Sequence, residues 1–279
     1  MKIKFSKMQG IGNDYIYIDC VNQSIGDPSE LSIRLSDRRF GIGGDGIILI
    51  CPSEKADFRM RMFNADGSEA RMCGNGIRCF SRFVHDKGLT DKTEIDVETL
   101  SGVKHISLLV ENGVVTGAKV NMGAPIFKAA DVPVKCEADE LVDAEVEIGG
   151  EKYNITCVSM GNPHCVTFVD DTESFPLEQV GPLFENNEMF PDRVNAEFVE
   201  KLSDGSLKMR VWERGSAETW ACGTGACAVL AAAVRCGVIK GRQSVIHLRG
   251  GDLFIEWSES GDIYMTGGAE FVFDGEVEI

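Results

Sequence analysis

Two cysteines in this sequence occupy matching surroundings. Cys73 lies in MCGNGIRC (72–79) and Cys222 in ACGTGACA (221–228), so each opens a Cys-Gly-x-Gly run. The apolar residues after Cys73, namely Ile77, Phe80, Phe83 and Val84, recur at helical spacing and stop near Gly88, a plausible C-terminal cap. A thiol at a helix start faces unpaired backbone N–H groups and the positive end of the helix dipole, both of which favour the thiolate. The glycines allow close backbone approach and leave N–H groups for an anion such as an α-carboxylate. Two such thiols on opposite sides of one carbon suit stereoinversion: one takes a proton, the other delivers one to the opposite face. A free thiol has a pKa of about 8.5, far below that of an amino-acid α-carbon, so such a site must lower the barrier by about 8 kcal/mol or more. Helix N-termini gripping a carboxylate away from water would supply that stabilisation.

The elements that must position these thiols are written twice. Laying Cys73 on Cys222, an offset of 149 residues, also lays Met60, Arg61, Met62 and Phe63 on Met209, Arg210, Val211 and Trp212, Glu69 on Glu218, and Gly88 on Gly237. The same offset carries Gly12 and Asn13 onto Gly161 and Asn162. Two homologous halves follow, each running strands, a helix, more strands, then a helix opening at the cysteine. ADFRMRMFN (56–64) and LKMRVWE (207–213) alternate faces as strands do. CGTGACAVLAAAVRCG (222–237) is apolar almost all round, as a buried central helix should be. The expected fold is α+β: two pseudo-symmetric halves, each a curled, mostly antiparallel sheet around a central helix, with a ligand crevice between them. We place the N-terminal half at 1–122, completed by 268–279, and the C-terminal half at 123–267.

Composition removes several functions. The 28 basic and 44 acidic residues among 279 leave a net charge of -16, which repels nucleic acid and anionic lipid. A hydrophobic content of 43% and a charged content of 26% are those of an ordinary globule. The N-terminus MKIKFSKMQ has no apolar core of a signal peptide, and no segment is long enough to span a membrane, so a cytoplasmic chain with free thiols is expected. Cys20, Cys51, Cys79, Cys136, Cys157, Cys165, Cys227 and Cys236 read as structural. Spacings such as Cys73 to Cys79 and Cys222 to Cys227 are wrong for zinc or iron–sulfur, so no metal is expected. A thiol hydrolase, suggested by the adjacent His164 and Cys165, needs only one nucleophile. GIGGDG (41–46) matches a dinucleotide fingerprint, but a helix-like segment precedes it and the strand-like IILI follows, the reverse of the required order.

With KMQGIGNDY (7–15) and GNPHCV (161–166) added to the two cysteine motifs, the chain closely resembles the diaminopimelate epimerase family over essentially its whole length. The resemblance implies a cofactor-independent, cytoplasmic homodimer that interconverts LL- and meso-2,6-diaminopimelate in lysine biosynthesis. It implies that Cys73 and Cys222 are acid and base, that Gly74, Asn75, Gly223 and Thr224 hold the reacting carboxylate, and that Asn13, Asn64, Asn162, Asn195, Glu213 and Arg214 bind the rest of the substrate. Arg214 is expected on the distal carboxylate and Glu213 on an ammonium, a chemically sensible division. His164 is implied, with Glu213, in setting a cysteine pKa; a structural histidine is the competing reading.

Two positions depart from the family pattern. Some members carry glutamine where this chain has Gly46, so water or a neighbour must replace that contact. A tyrosine associated with dimer contacts corresponds to Phe273. Competing functions are a proline-racemase-like enzyme, whose relatives commonly show histidine at the position of Asn75 and give Arg214 no role, and a non-catalytic binding module. Cys73 and Cys222 could also form a disulfide when no substrate separates them, a hypothesis subordinate to catalysis.

Overall fold

The computed structural model describes residues 2–278. The chain divides into two compact units, residues 1–121 with 266–279, and residues 122–265. Each unit builds its sheet in the same order.

In the first unit β1 (Lys2–Gly10) and β2 (Asn13–Asp19) form a hairpin, and α1 (Pro28–Ser36) connects β2 to β3 (Gly46–Cys51), which pairs parallel to β2. β4 (Phe58–Asn64) returns antiparallel to β3 and carries the short β5 (Glu69–Ala70). α2 (Gly74–Asp86) follows, then β6 (Glu94–Thr99), β7 (Gly102–Glu111) and β8 (Val114–Gly123), with β6 parallel to β4 and the rest antiparallel.

In the second unit β9 (Ala144–Ile148), β10 (Glu151–Ser159) and β11 (Pro163–Phe168) pair antiparallel; α3 (Leu177–Glu185) leads to β12 (Asn195–Lys201), parallel to β11. β13 (Leu207–Glu213) with β14 (Ala217–Thr219), α4 (Gly223–Arg235), β15 (Gln243–Leu248), β16 (Gly251–Trp257) and β17 (Ile263–Gly268) repeat the remaining order. β18 (Glu270–Glu278) pairs antiparallel with β1, taking the place beside β1 that β9 takes beside β10.

The offset of 149 residues thus carries β1, α1, β4, α2 and β6 onto β10, α3, β13, α4 and β15 with identical bounds. This is the α+β architecture of duplicated, mostly antiparallel sheets wrapped on central helices.

Strand alternation separates two layers in each unit. In the first, Ile16, Ile18, Ile47 and Leu49 pack with Leu31 and Leu35 of α1 on one face. In the second, Cys165, Ala196 and Phe198 pack with Leu177 and Phe184 of α3. The intervening residues of β3 and β12 therefore point at α2 and α4. Both central helices end in the same way. Gly88 and Gly237 take φ of 72° and 68°, and Leu89 N–H and Val238 N–H reach back to the carbonyls of Val84 and Ala233. Buried alanines at 226, 228, 231, 232 and 233 let strands approach α4 closely while favouring the helix. Among the described residues no helix is long and apolar enough to cross a membrane.

Candidate active site

Both cysteines are the N-cap residues of their helices, in extended conformation at φ -128°, ψ 122° for Cys73 and φ -121°, ψ 105° for Cys222. Each sulfur accepts the N–H three residues on, Gly76 or Gly225, at 3.3 Å. A cap is usually oxygen; here sulfur takes its place, so the orphan N–H groups of the first turn face the thiol. The last glycine of each motif is required by space. A Cβ on Gly76 would meet Ile48 Cδ1 at 2.6 Å, and one on Gly225 would meet Glu197 Oε1 at 2.8 Å and Cys222 Sγ at 3.1 Å.

Around Cys73 the sulfur lies 3.2 Å from Asn13 Oδ1, and Asn13 Nδ2 donates to Asp45 Oδ2 at 2.6 Å. Asp45 is held in turn by Arg38 and by the Asp14 N–H. The 41–46 stretch is therefore a helix-to-strand loop whose aspartate anchors Asn13. Asn75 is buried at the start of α2 and accepts from Arg78 Nη1 at 3.0 Å. Asn64, at the end of β4, donates to Ser68 Oγ at 3.0 Å and pairs in register with Gly46. A side chain at 46 has no room: its Cβ would lie 2.0 Å from Phe63 O and 2.9 Å from the Tyr15 ring. The Phe63 carbonyl and the Tyr15 ring occupy the space beside Gly46.

Around Cys222 the groups form a longer chain. Thr224 Oγ1 lies 3.6 Å from the sulfur and accepts from Asn162 Nδ2 at 3.3 Å. Asn162 Oδ1 faces His164 Nε2 at 3.0 Å, and His164 Nδ1 lies 2.6 Å from Glu197 Oε1, both side chains fully buried. Burial pushes the Glu197 carboxyl up, against the pull of His164. Burial also pushes the Cys222 thiol well up, reinforced by the charges of Glu213 and Glu197 and opposed by hydrogen bonds from Thr224 and the Gly225 N–H. Glu213, at the end of β13, accepts a short hydrogen bond from the Thr219 hydroxyl. Asn195 bridges Pro163 O and the Arg214 N–H, and the Arg214 guanidinium donates to Asp192 O at 2.8 Å.

The structure therefore gathers Asn13, Gly74 and Asn75 about Cys73, and Gly223, Thr224, Asn162 and His164 about Cys222, while Asn195 and Arg214 form a neighbouring cluster. The direct carboxylate partner of His164 is Glu197. Sequence reasoning passed over Glu197 and Asp45. The available signal for Glu197 was a lone acid within the apolar NAEFV, falling by the repeat on Ile48.

On fold, the chain stands with racemases and epimerases. A probable proline racemase from Agrobacterium radiobacter superposes with a TM-score of 0.74 at 13% identity, covering 99% of this chain and 93% of that one. A hydroxyproline epimerase from Agrobacterium vitis superposes at 0.70 with 14% identity, covering 99% and 92%. The chain is an isomerase of the diaminopimelate epimerase family, to which it belongs: the family's sequence profile matches residues 5–128 and 156–272. It is 56% identical to the diaminopimelate epimerase of Methanococcus maripaludis (strain C5), covering 99% of this chain and all of that one. It is 50% identical to that of Leptospira biflexa, with all of both chains covered.

Proposed function

We propose that this chain interconverts LL- and meso-2,6-diaminopimelate without a cofactor, as a step of lysine biosynthesis, using Cys73 and Cys222 as exchanging acid and base. The observation that carries the reading is the duplicated cysteine cap. Two helices of matched bounds each place a thiol where a side-chain oxygen normally caps, in a chain more than half identical to diaminopimelate epimerases. One thiolate removes the α-proton, the other thiol protonates the opposite face, and the first-turn N–H groups following each thiol stabilise the carboxylate as charge develops. Gly74, Asn75, Gly223 and Thr224 supply that cradle. Asn13, Asn64, Asn162, Asn195, Glu213 and Arg214 bind the remaining ammonium and carboxylate groups, with His164 and Glu213 acting on the thiols. The enzyme works in the cytoplasm as a homodimer, and Val272 and Phe273, exposed on β18, are apolar surface that association can cover.

The test is solvent deuterium incorporation at the α-carbon of LL-diaminopimelate under reductant, in wild type, Cys73→Ser and Cys222→Ser. Deuterated meso product from wild type and severe loss of inversion in both variants are expected. No exchange from wild type would sink the substrate assignment.

A further inference from the structure

The two cysteine caps share a backbone but differ in what lies behind them. By the repeat, Tyr15 and Ile48 of the first unit correspond to His164 and Glu197 of the second. Ile48 presents a methyl group to the start of α2, as an apolar core expects. Glu197 presents a carboxylate to the start of α4, within a strand whose neighbours Ala196 and Phe198 pack in the apolar layer on the other face. Its Oε1 meets only His164 Nδ1 as a side-chain partner, and its Oε2 has no hydrogen-bond partner among the described residues. Burying a carboxylate costs several kcal/mol even when paired, and replacing a buried pair by apolar residues is often neutral or stabilising. The fold does not require this acid, since the first unit builds the same element around isoleucine.

The position of the pair gives it a role. With Nε2 of His164 donating to Asn162 Oδ1, the Asn162 amide nitrogen is turned to Thr224 Oγ1, and the Thr224 hydroxyl hydrogen is left for Cys222 Sγ. In the first unit the order is reversed. Asp45 takes the Asn13 amide nitrogen, so the Asn13 carbonyl faces Cys73 Sγ directly. Beside the backbone N–H that each sulfur accepts, the side chain facing Cys73 is therefore a carbonyl acceptor and the one facing Cys222 a hydroxyl free to donate.

We propose that Glu197 is a positioning residue for the Cys222 half of the reaction: it locks the His164 ring, which sets the orientation of Asn162 and Thr224 and so presents a donor to the Cys222 sulfur. The inference rests on the two-thiol reading above and adds that the two thiols are set unequally by hydrogen-bond direction. Among the described residues no hydrogen bond joins Glu197 to the Cys222 sulfur, and the orientation it imposes runs through the three residues between.

The test compares Glu197→Ile, which installs what the first unit has, with Glu197→Gln, which keeps a hydrogen-bonding group. Both are followed by solvent deuterium incorporation into diaminopimelate, by thermal unfolding, by the alkylation rate of Cys73, and by nitrogen NMR of the histidines, with His164 assigned from a His164→Asn spectrum. For Glu197→Ile we expect kcat at least tenfold lower with KM little changed, no loss of melting temperature, unchanged Cys73 alkylation and altered His164 resonances. Glu197→Gln is expected to recover most of the lost kcat. Wild-type kcat in a folded Glu197→Ile, loss of stability in step with loss of kcat, or Glu197→Gln as impaired as Glu197→Ile would each overturn the proposal. An inactive wild type would instead overturn the reading on which it rests, whatever the His164 spectrum shows.

Discussion

Replacing Gly225 with alanine puts the asymmetry between the two helix starts to a quantitative test, because Gly76→Ala makes the same change in the same turn of α2. Alanine gains up to about 1 kcal/mol over glycine in a helix. At 76 the added methyl meets the terminal Cδ1 of Ile48 at 2.6 Å, which can turn aside for about 0.5–1.5 kcal/mol. The two contributions nearly cancel, and Gly76→Ala should lie within about 1 kcal/mol of wild type. At 225 the methyl meets Glu197 Oε1 at 2.8 Å, and that oxygen is held by His164 at 2.6 Å in a fully buried pair. Moving it forfeits a charge-assisted hydrogen bond of about 1.5–3 kcal/mol and adds overpacking of about 1–3 kcal/mol. After a helix gain of about 1 kcal/mol, Gly225→Ala should lose about 1.5–5 kcal/mol. Urea denaturation of the three proteins, with m-values shown to be equal, measures both differences. Equal stabilities for the two variants would refute the claim that Glu197 is immovable and Ile48 is not.

Three further outcomes follow from the site. Gly46→Gln should cost about 3 kcal/mol or more, because the obstacle at 2.0 Å is the Phe63 backbone carbonyl; recovery of a folded, equally stable variant by urea titration would contradict this. Glu213→Gln should move the alkylation of Cys222 by iodoacetamide to lower pH, because the Glu213 charge is one cause that raises this thiol, while burial, the larger cause, stays; an unmoved or upward-shifted profile by site-resolved mass spectrometry would exclude that contribution. Asp14 is half-buried, which raises its carboxyl, yet hydrogen bonds and charges from Arg38 and Lys7 hold it below the usual carboxylate range. Its contribution is therefore present above the unfolded pKa of about 3.9 and lost as pH falls through the depressed folded value. Asp14→Asn should be about 2–3 kcal/mol less stable from pH 5 to 8, with the gap narrowing as pH falls below the unfolded value of about 3.9, and a gap independent of pH would refute the pairing.

Much of this was legible in sequence because duplication makes one copy a control for the other. α3 shows it best. LEQVGPLFE contains Gly181 and Pro182, and its own composition argues against a helix. The repeat places it under α1 nonetheless, and Gly181 is there because a Cβ would strike the Trp212 ring at 2.5 Å. The thiol-capped helices were legible for a different reason: capping, glycine and helical periodicity are local, so Cys73 and Cys222 are marked by their immediate neighbours. The reversed order of elements around residues 41–46 was equally local, and it ruled out a phosphate loop.

The partners of these residues were not local. Asp45 reaches Asn13 across 32 positions and Glu197 reaches His164 across 33, through strands that pair parallel by way of an intervening helix. Sequence alone determined which residues are the candidates for chemistry and that two of them cap helices, because residue type and short spacing decide thiol, cap and turn. Only the tertiary structure decided which neighbour each one answers to. Strand register turned Glu197 away from α3 and onto the start of α4, and a hydrogen bond's direction depends on the far end of that contact.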